Sequence, residues 1–395
     1  MIINKKSGLL QAAFFIFDLL EAMEKINSLI DSKLHERSVN SSLRSLSVNT
    51  GLIDFCSNDY LGFSQSDELK ASIESHLKLY PDYNIGSTGS RLISGNDEFT
   101  QKLESEISFF HNSESALIFN SGYDANVGLF SSLPERGDTI ILDEFIHASI
   151  IDGSRLSYAN RYTFKHNNLE SLEEKLKLAK GNIFIGIESI YSMDGDAAPL
   201  TEIVNLAEAY SASVVVDEAH AIGIFGNNGR GLVEQYNLTN KVLARIITFG
   251  KALGCHGAAI LCANNLQTYL INFARSFIYT TAASFYTHLC VKMAYKHLVE
   301  SDIALIHKKV NLFRKEAEDI YVQFIDSNSP IQSLIIEGNV KAKFVAAALQ
   351  KKGFNVRAIL HPTVSLGKER LRICLHTFNT DNEIITLVKS LKENL

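Results

Sequence analysis

The stretch Val214–His220 (VVVDEAH) is the part of the chain that decides the fold. A run of β-branched residues that ends in an acid predicts a buried strand with a carboxylate at its carboxyl end. A second stretch, Ile246–Lys251 (IITFGK), predicts a strand that delivers a hydroxyl and an amine in the same way. Together the two stretches predict a sheet edge that carries Asp217, Thr248 and Lys251.

An amine, a carboxylate and hydrogen-bond donors at one edge are the set that pyridoxal phosphate (PLP) requires. Its aldehyde forms a Schiff base with a lysine, its pyridinium nitrogen needs a carboxylate, and its phosphate needs donors. Alone, each of these residues is more often a strand cap or a solvated amine, so the interpretation depends on its context. Upstream, Phe119–Asn126 (FNSGYDAN) predicts a small-residue turn that opens a helix, where free backbone N–H groups bind phosphate.

Apolar runs alternate with amphipathic helical patterns through the middle of the chain, which predicts a mainly parallel sheet with helices on both faces. The seven strand candidates are Ser115–Phe119, Asp138–Leu142, Arg161–Phe164, Ile183–Ile187, Val214–Asp217, Arg245–Phe249 and Ala258–Cys262. Ligands of such sheets bind beyond the carboxyl ends of the strands. The candidates therefore place Ser121, Ser192, Asp217 and Thr248 at one edge.

The pattern of predicted helices and strands changes after about Phe285. Long helical patterns over 291–320 are followed by shorter strand candidates at Gln332–Ile336, Asn355–Ala358 and Leu371–Leu375. These segments predict a second, smaller α/β domain at the C-terminus.

Composition narrows the class of protein. The chain has 395 residues and a net charge of -6, and it lacks a long basic cluster, which argues against nucleic acid as the main partner. Its five cysteines are scattered without metal-ligand spacing, so we expect reduced thiols, a cytoplasmic location and no metal site.

The N-terminus carries an ambiguous signal. Lys5 and Lys6 precede an apolar run that imitates a signal peptide, but Asp18 and Glu21 follow it and no small-residue cleavage site appears. The run is too short to span a bilayer. We interpret residues 1–22 as an extension that is untranslated or disordered in the cell, with peripheral membrane attachment as the alternative.

The chain resembles the α-oxoamine synthases, the PLP family that condenses an amino acid with an acyl thioester and releases carbon dioxide. The resemblance covers nearly everything after Met23, and it rests on the order of five segments. These are Ser57–Gly62, Gly86–Arg91, Ser192–Asp196, Asp217–His220 and Arg370–Arg372. It implies the aspartate-aminotransferase-like fold (fold type I), with an N-terminal segment at 23–63, a large PLP-binding domain at 64–290 and a small domain at 291–395.

The resemblance also implies roles for the residues at the predicted sheet edge. Lys251 would hold the cofactor and move the proton at the amino-acid α-carbon, and Asp217 would pair with the pyridinium nitrogen. His220 would meet the phenolic oxygen, and His147 would stack on the ring. The further cofactor contacts would be Gly122, Tyr123, Ser192, Thr248 and Thr281, the last from the other subunit of an obligate homodimer. Near Thr281 the chain lacks a proline pair that the family usually has. This departure weakens the assignment of Thr281 as a cofactor contact.

The substrate contacts rest on guanidinium chemistry and on the resemblance. Arg372 offers two parallel N–H donors to a carboxylate, and we predict that Arg370 on the same strand faces the other way. Thr363 and Arg44 resemble the contacts to the acyl substrate, although a plain surface role fits both.

Within the family, the sequence is most like the branch that joins L-alanine to a pimeloyl thioester, on coenzyme A or a carrier protein, in biotin synthesis. The alternatives are glycine C-acetyltransferase, 5-aminolevulinate synthase and serine palmitoyltransferase. An inactive partner subunit or scaffold is the alternative from another class. Such a protein would be expected to have lost Lys251 or Asp217, and both residues are present.

Overall fold

The computed structural model of the protein describes residues 22–46, 48, 51–320 and 324–395. The interpretation of residues 1–22 therefore lies outside the described residues except at its last position. The helices in the described range are α1 at 22–39, α2 Asp67–Leu77, α3 Glu98–Phe110, α4 Gly122–Ser132, α5 Ala148–Leu156, α6 Leu169–Leu176, α7 Leu200–Ala209, α8 Leu232–Gln235, α9 Asn264–Phe273, α10 Arg275–Ile278, α11 Phe285–Glu300, α12 Ala304–Glu316, α13 Asn339–Lys351 and α14 Asp381–Lys392. The strands in the same range are β1 Ile53–Asp54, β2 Ser115–Phe119, β3 Thr139–Asp143, β4 Asn160–Phe164, β5 Ile183–Glu188, β6 Ser213–Asp217, β7 Ala244–Thr248, β8 Ala258–Cys262, β9 Ile331–Ile335, β10 Phe354–Asn355, β11 Arg357–Ile359 and β12 Arg370–Cys374.

In the described residues, a seven-stranded sheet with the order β2-β8-β7-β6-β5-β3-β4 forms the centre of the fold. Strands β7, β6, β5, β3 and β4 run parallel, whereas β8 is antiparallel to its neighbours β7 and β2. The predicted seven-stranded, mainly parallel sheet is confirmed. Each predicted strand begins and ends within one residue of the observed one.

The central strands are buried on both faces, because their apolar residues alternate between two core clusters. In β6, Val214 and Val216 belong to the larger cluster and Val215 to the smaller one. In β7, Ile247 belongs to the larger cluster and Ile246 to the smaller one. This alternation follows from the two-residue period of a strand, and it explains why the strands read as continuous apolar runs.

The C-terminal part contains a three-stranded antiparallel sheet of order β11-β12-β9, and α13 packs against its strands. The predicted smaller α/β domain is thereby confirmed. The single strand predicted at Asn355–Ala358 is instead divided in two, because β10 pairs with β1 and β11 pairs with β12. Val356 separates the two strands, and its N–H donates to the Phe354 carbonyl at 3.1 Å.

The N-terminal segment is joined to this second sheet. Beyond the β1–β10 pair, the Cys374 N–H donates to the Phe55 carbonyl at 2.9 Å, and the Thr377 N–H donates to the Tyr60 carbonyl at 2.9 Å. Helix α11 runs continuously across the boundary predicted between residues 290 and 291. The proposed division into segments 23–63, 64–290 and 291–395 stays a prediction.

Helix α1 is exposed along its whole length in the single chain. Its apolar residues Met23, Ile26, Ile30 and Leu34 are each about half exposed. Their spacing of three and four residues puts them on one side of the helix. None of the described helices combines the length and the apolar character needed to cross a membrane.

A buried ion pair fixes the end of β6 beside β7. Glu218, which follows Asp217, accepts hydrogen bonds from Arg245 Nε at 2.7 Å and from the Val233 N–H at 3.0 Å. Arg245 is almost fully buried on β7, and it also donates to the carbonyls of His111 and Arg230. The pair therefore holds in place the strand end that carries Asp217.

We expect Arg245→Met to destabilise the protein strongly, because it leaves the Glu218 carboxylate buried without its cation. Removing one partner of a buried pair costs about 3–5 kcal/mol. The free energy of unfolding measured in urea checks this. Lys241→Met is the control, because Lys241 pairs with Glu208 at the surface, where a pair contributes about 1 kcal/mol or less. Equal losses in the two variants would contradict the role given to Arg245.

Candidate active site

The carboxyl ends of three parallel strands bring the predicted site residues together. The register places Glu188 of β5 opposite Asp217 of β6, and Asp217 opposite Ile246 of β7. Thr248 ends β7, and Lys251 lies in the turn that follows. The sheet edge predicted from the sequence is therefore present, and it also carries Glu188.

Both oxygens of the Asp217 carboxylate are held by hydrogen bonds. Oδ1 accepts from the Ala219 N–H at 2.9 Å, and Oδ2 accepts from Asn126 Nδ2 of α4 at 2.8 Å. Asn126 Nδ2 also donates to Ser149 Oγ at 3.0 Å, and Ser149 Oγ lies 2.7 Å from His147 Nδ1. These contacts fix Asp217 and His147 relative to each other, and the carboxylate keeps lone pairs for a further donor.

A continuous hydrogen-bond network runs from the amine of Lys251 to the guanidinium of Arg372. Lys251 Nζ lies 2.9 Å from His220 Nε2, and His220 Nδ1 lies 2.8 Å from the Tyr60 hydroxyl. The Tyr60 hydroxyl donates to Asn58 Oδ1 at 3.2 Å, and Arg372 donates to the same oxygen at 2.9 Å. Residues that are more than 300 positions apart in the sequence thus share one network.

The donors along this network fix the tautomer of His220. Because the Lys251 ammonium can only donate, His220 Nε2 accepts from it, and the neutral ring then carries its proton on Nδ1 and donates to the Tyr60 oxygen. Burial, with the charges of Lys251 and Arg372, holds the pKa of His220 well below its usual range, so the ring is neutral.

The charges at the sheet edge perturb one another. Burial lowers the pKa of Lys251 to about 8, and the carboxylates of Asp217 and Glu188 offset part of that shift. Burial raises the pKa of Glu188 to about 8, and the nearby Asp217 adds to it. Burial also lowers the pKa of His147, against the pull of Asp217. A shifted amine beside a shifted carboxyl group is typical of a catalytic site.

The N-terminus of α4 forms a cradle beside Thr248. Ser121 caps the helix by accepting from the Asp124 N–H, which leaves the N–H groups of Gly122 and Tyr123 at the open end. A Cβ atom on Gly122 would lie 2.7 Å from Thr248 Cγ2, so a larger residue does not fit there. Helix N-termini of this kind bind phosphate.

These features fit PLP as the cofactor. The cradle offers phosphate donors, and Asp217 offers a carboxylate for a ring nitrogen. Among the described residues, the buried Glu188 Oε1 lacks a hydrogen-bond partner, as expected of an atom that faces a further ligand.

The two arginines of β12 face the same loop, so the prediction that Arg370 faces away from Arg372 is wrong. Arg372 Nε donates to the Ser192 carbonyl at 2.6 Å. Arg370 forms an ion pair with Asp194, which lies two residues after Ser192 in the same loop. The physical reason is the strand period, because residues two apart on a strand share a face. Leu371, between them, belongs to the hydrophobic core.

The remaining predicted residues occupy more exposed positions. Arg44 donates to Thr363 Oγ1 at 2.9 Å, so the two proposed acyl-substrate residues lie together. Thr281 is exposed, and its carbonyl accepts from Asn120, two residues before Gly122. Ser192 is half-buried, and its N–H donates to Glu188 Oε2 at 3.2 Å.

Sequence reasoning assigned no role to Asn58, Tyr60, Asn126 or Glu188, although all four lie in the networks of the site. Asn58 and Tyr60 belong to the Ser57–Gly62 segment that carried the family resemblance. Glu188 ends a predicted strand, as Asp217 does, and that position was the available signal. Asn126 lay inside the quoted turn-and-helix stretch, where nothing separates it from an ordinary helix residue.

Comparison with known protein families assigns the chain to one of them. Residues 50–391 match the family model described as aminotransferase class I and II. This match covers most of the sequence, and the chain belongs to the class I and II aminotransferase family. The PLP-enzyme fold that the sequence resemblance implied is thereby confirmed.

Individual relatives narrow the choice among the branches of this family. The 8-amino-7-oxononanoate synthase of Emericella nidulans is 41% identical over 367 residues, which cover 86% of this chain and 88% of the relative. The solved 8-amino-7-oxononanoate synthase of Francisella tularensis is 29% identical, with a TM-score of 0.75, and the match covers 87% of this chain and 98% of that one. A serine palmitoyltransferase from S. paucimobilis with a bound PLP–myriocin aldimine shares the fold at 24% identity, with a TM-score of 0.85 and coverage of 94% and 98%. These relatives confirm the α-oxoamine synthase resemblance and the assignment as a PLP-dependent acyltransferase.

We expect Gly122→Ala to weaken PLP binding, because its methyl group must displace Thr248 or the first turn of α4. Loss of one hydrogen bond to a charged group costs about 1.5–3 kcal/mol, which corresponds to roughly tenfold or more in affinity. Equilibrium dialysis against PLP measures the change. Thr248→Ser removes the colliding Cγ2 atom and keeps the hydroxyl, so the double variant should regain most of the affinity. A double variant as weak as Gly122→Ala would refute the proposed collision.

Proposed function

We propose that the protein condenses L-alanine with a pimeloyl thioester, forming 8-amino-7-oxononanoate for biotin synthesis and releasing carbon dioxide and the free thiol of the acyl carrier. The observation that carries the proposal is the network that joins the Lys251 amine to the Arg372 guanidinium at one sheet edge. It joins an amine, which would transfer a proton, to a guanidinium, which would bind a carboxylate. The names of the relatives support the choice of branch.

The chain's own residues would hold PLP in a defined orientation. The N–H groups of Gly122 and Tyr123, with Thr248 and Thr281, would bind its phosphate, and Asp217 would bind the pyridinium N–H. His147 would lie on the ring face, His220 would meet the phenolic oxygen, and Ser192 would add a further contact. When bound, the cofactor supplies an electron-withdrawing ring that stabilises negative charge on the substrate.

Lys251 would accept and return the proton at the amino-acid α-carbon. Its lowered pKa of about 8 leaves part of the amine neutral near neutral pH, as a base requires. His220 Nε2 accepts from Nζ and so keeps the amine aimed along one direction. The Asp217 carboxylate, held by Asn126 and Ala219, would keep the ring nitrogen protonated.

Arg372 would bind the carboxylate of the amino acid. Its guanidinium is buried and is oriented by Asn58 Oδ1 and the Ser192 carbonyl, so it presents fixed donors. Fixed, paired N–H donors suit a carboxylate. Arg44 and Thr363, which are hydrogen-bonded to each other at the surface, would contact the acyl substrate.

A homodimer with shared active sites is part of the proposal, and we place the enzyme in the cytoplasm. Two exposed apolar surfaces support an interface. One is the apolar side of α1, and the other lies in the loops from 79 to 93, where Leu79, Ile85, Leu92 and Ile93 are exposed. Apolar patches of this kind mark protein contacts.

One experiment tests the function directly. The purified protein, loaded with PLP, is incubated with L-alanine, glycine or L-serine and with pimeloyl, acetyl, succinyl or palmitoyl thioesters, and the ketone product is identified by mass spectrometry. We expect turnover mainly with L-alanine and the pimeloyl thioester. A preference for another pair would move the protein to a sister branch, and a lack of any product would favour the inactive relative.

Lys251→Ala is the control variant for this experiment. It should fold normally, because the amine serves chemistry rather than packing. It should lose both turnover and the visible absorption band of the cofactor bound to the lysine. If it retained both, the role of Lys251 would be wrong.

We expect Arg372→Leu to raise the KM for the amino acid far more than the KM for the thioester. Losing a charge-assisted contact to a buried partner costs about 2–5 kcal/mol, or roughly thirtyfold to several thousandfold. Steady-state kinetics with each substrate varied in turn measures the split. Arg44→Ala is the matched comparison, because it should change the thioester KM instead. Equal changes in both constants in either variant would contradict the placement of the two substrates.

A further inference from the structure

The loop at residues 189–197, here called the joint loop, lies between β5 and α7 and contacts the C-terminal sheet. Four contacts connect it to that sheet and to the segment that leads into it. They are Arg372 Nε to the Ser192 carbonyl at 2.6 Å, Ser333 Oγ to the Met193 carbonyl at 2.6 Å, Ser327 Oγ to the Gly195 carbonyl at 2.7 Å, and the Arg370–Asp194 ion pair. This loop, through the Ser192 carbonyl, therefore helps to orient the Arg372 guanidinium.

On the opposite side, His166 holds the joint loop against the central sheet. His166 Nε2 lies 2.8 Å from Asp196 Oδ2 of the loop, and Nδ1 lies 2.9 Å from Asp143 Oδ1 at the end of β3. The neighbouring Asn167 repeats the pattern, since its Nδ2 donates to Asp196 Oδ2 at 2.8 Å and its N–H donates to Asp143 Oδ2 at 3.0 Å. The end of β3, the segment that follows β4 and the joint loop therefore all meet at the His166 imidazole.

The surroundings of His166 favour its charged form. Phe145 stacks on the ring at 4.5 Å between centroids, and Tyr191 packs edge-on at 4.4 Å. The charged and titratable groups that face it are Asp143, Asp196, Tyr191, the Glu144 carboxylate that accepts its N–H, and Asp194 with its partner Arg370. Against the effect of burial, the hydrogen bonds to Asp143 and Asp196 raise the pKa of His166 to about 9.

The same cluster has the composition of a metal site, because ligand atoms of His166, Asp194 and Asp196 lie within 4.8 Å of one another. Both ring nitrogens of His166 already face carboxylates, and Asp194 is paired with Arg370. A histidine that ligates a metal must offer a free lone pair. The arrangement is therefore that of an ion-paired anchor.

We propose that His166 is a positioning residue: as an imidazolium between Asp143 and Asp196, it fixes the joint loop and thereby orients Arg372 for the amino-acid carboxylate. The second half of this inference rests on the proposed function, whereas the first half does not. The nearest residue in the sequence that is assigned to substrate or cofactor is His147, 19 positions before His166, so His166 would act through the joint loop and its Ser192 carbonyl.

The proposal gives a defined pH dependence. A group whose pKa is raised on folding contributes stability that is fully present below its unfolded value of about 6.5. That contribution is lost as the pH rises through about 9. The difference in stability between the wild type and His166→Gln should therefore shrink between pH 6.5 and pH 9.5.

The experiment compares the PLP-loaded wild type, His166→Gln and Lys177→Gln in two assays. Lys177→Gln removes a cation from the exposed pair with Glu173 on the same stretch of chain, and it is the charge-matched control. Hydrogen exchange measured by mass spectrometry reports the protection of residues 189–197. In His166→Gln we expect exchange in this loop to be roughly tenfold faster, from the loss of charge-assisted hydrogen bonds, with Lys177→Gln unchanged.

The second assay measures the KM for each substrate. His166→Gln should raise the amino-acid KM roughly threefold to thirtyfold, the range of coupling through a positioned element, and leave the thioester KM unchanged. Unchanged loop exchange, or equal shifts in both constants, would overturn the proposal. A lack of turnover in the wild-type protein would instead contradict the proposed function. The exchange assay would still decide whether His166 anchors the joint loop.

Discussion

The alignment of the carboxyl ends of β5, β6 and β7 is the constraint on which the site depends. Parallel pairing puts Glu188, Asp217 and Ile246 at one level, so the loops that follow must all emerge at the same edge. The buried pair between Glu218 and Arg245 then locks β6 to β7 one residue beyond Asp217. Because both faces of the sheet are apolar and covered, the polar groups gather at this edge, where the burial that shifts the pKa values of Lys251 and Glu188 is offset in part by their opposite charges.

The network from Lys251 to Arg372 shows how a rigid sheet and a separate small sheet form one site. Asn58 and Tyr60 bridge the two parts, since they contact His220 on one side and Arg372 on the other. The Lys251 amine and the Arg372 guanidinium are held by these neighbours, so in the proposed function they would be oriented before any substrate arrives. Preorganisation of this kind reduces the reorganisation that the reaction requires.

The central sheet could be predicted almost to the residue, because its strands are uninterrupted apolar runs and burial on both faces decides them. The division between β10 and β11 could not, since Phe354, Val356 and Ala358 alternate with polar residues as they would in one continuous strand, and the break is set by the pairing of β10 with β1. The position of Asp217 and Lys251 at one sheet edge was predicted from the strand patterns that precede them. The part played by Tyr60 depends on a contact across 160 residues, which no local pattern contains. The orientation of Arg370 was missed through a wrong application of the strand period.

The pairing of β1 with β10 has a consequence for synthesis of the chain. The two strands lie about 300 residues apart in sequence, and Asn58 reaches Arg372 only after β12 has been made. A ribosome will therefore have translated nearly the whole protein before the site can close. Contacts so distant in sequence form slowly, and until then the β1 segment stays unpaired on the nascent chain.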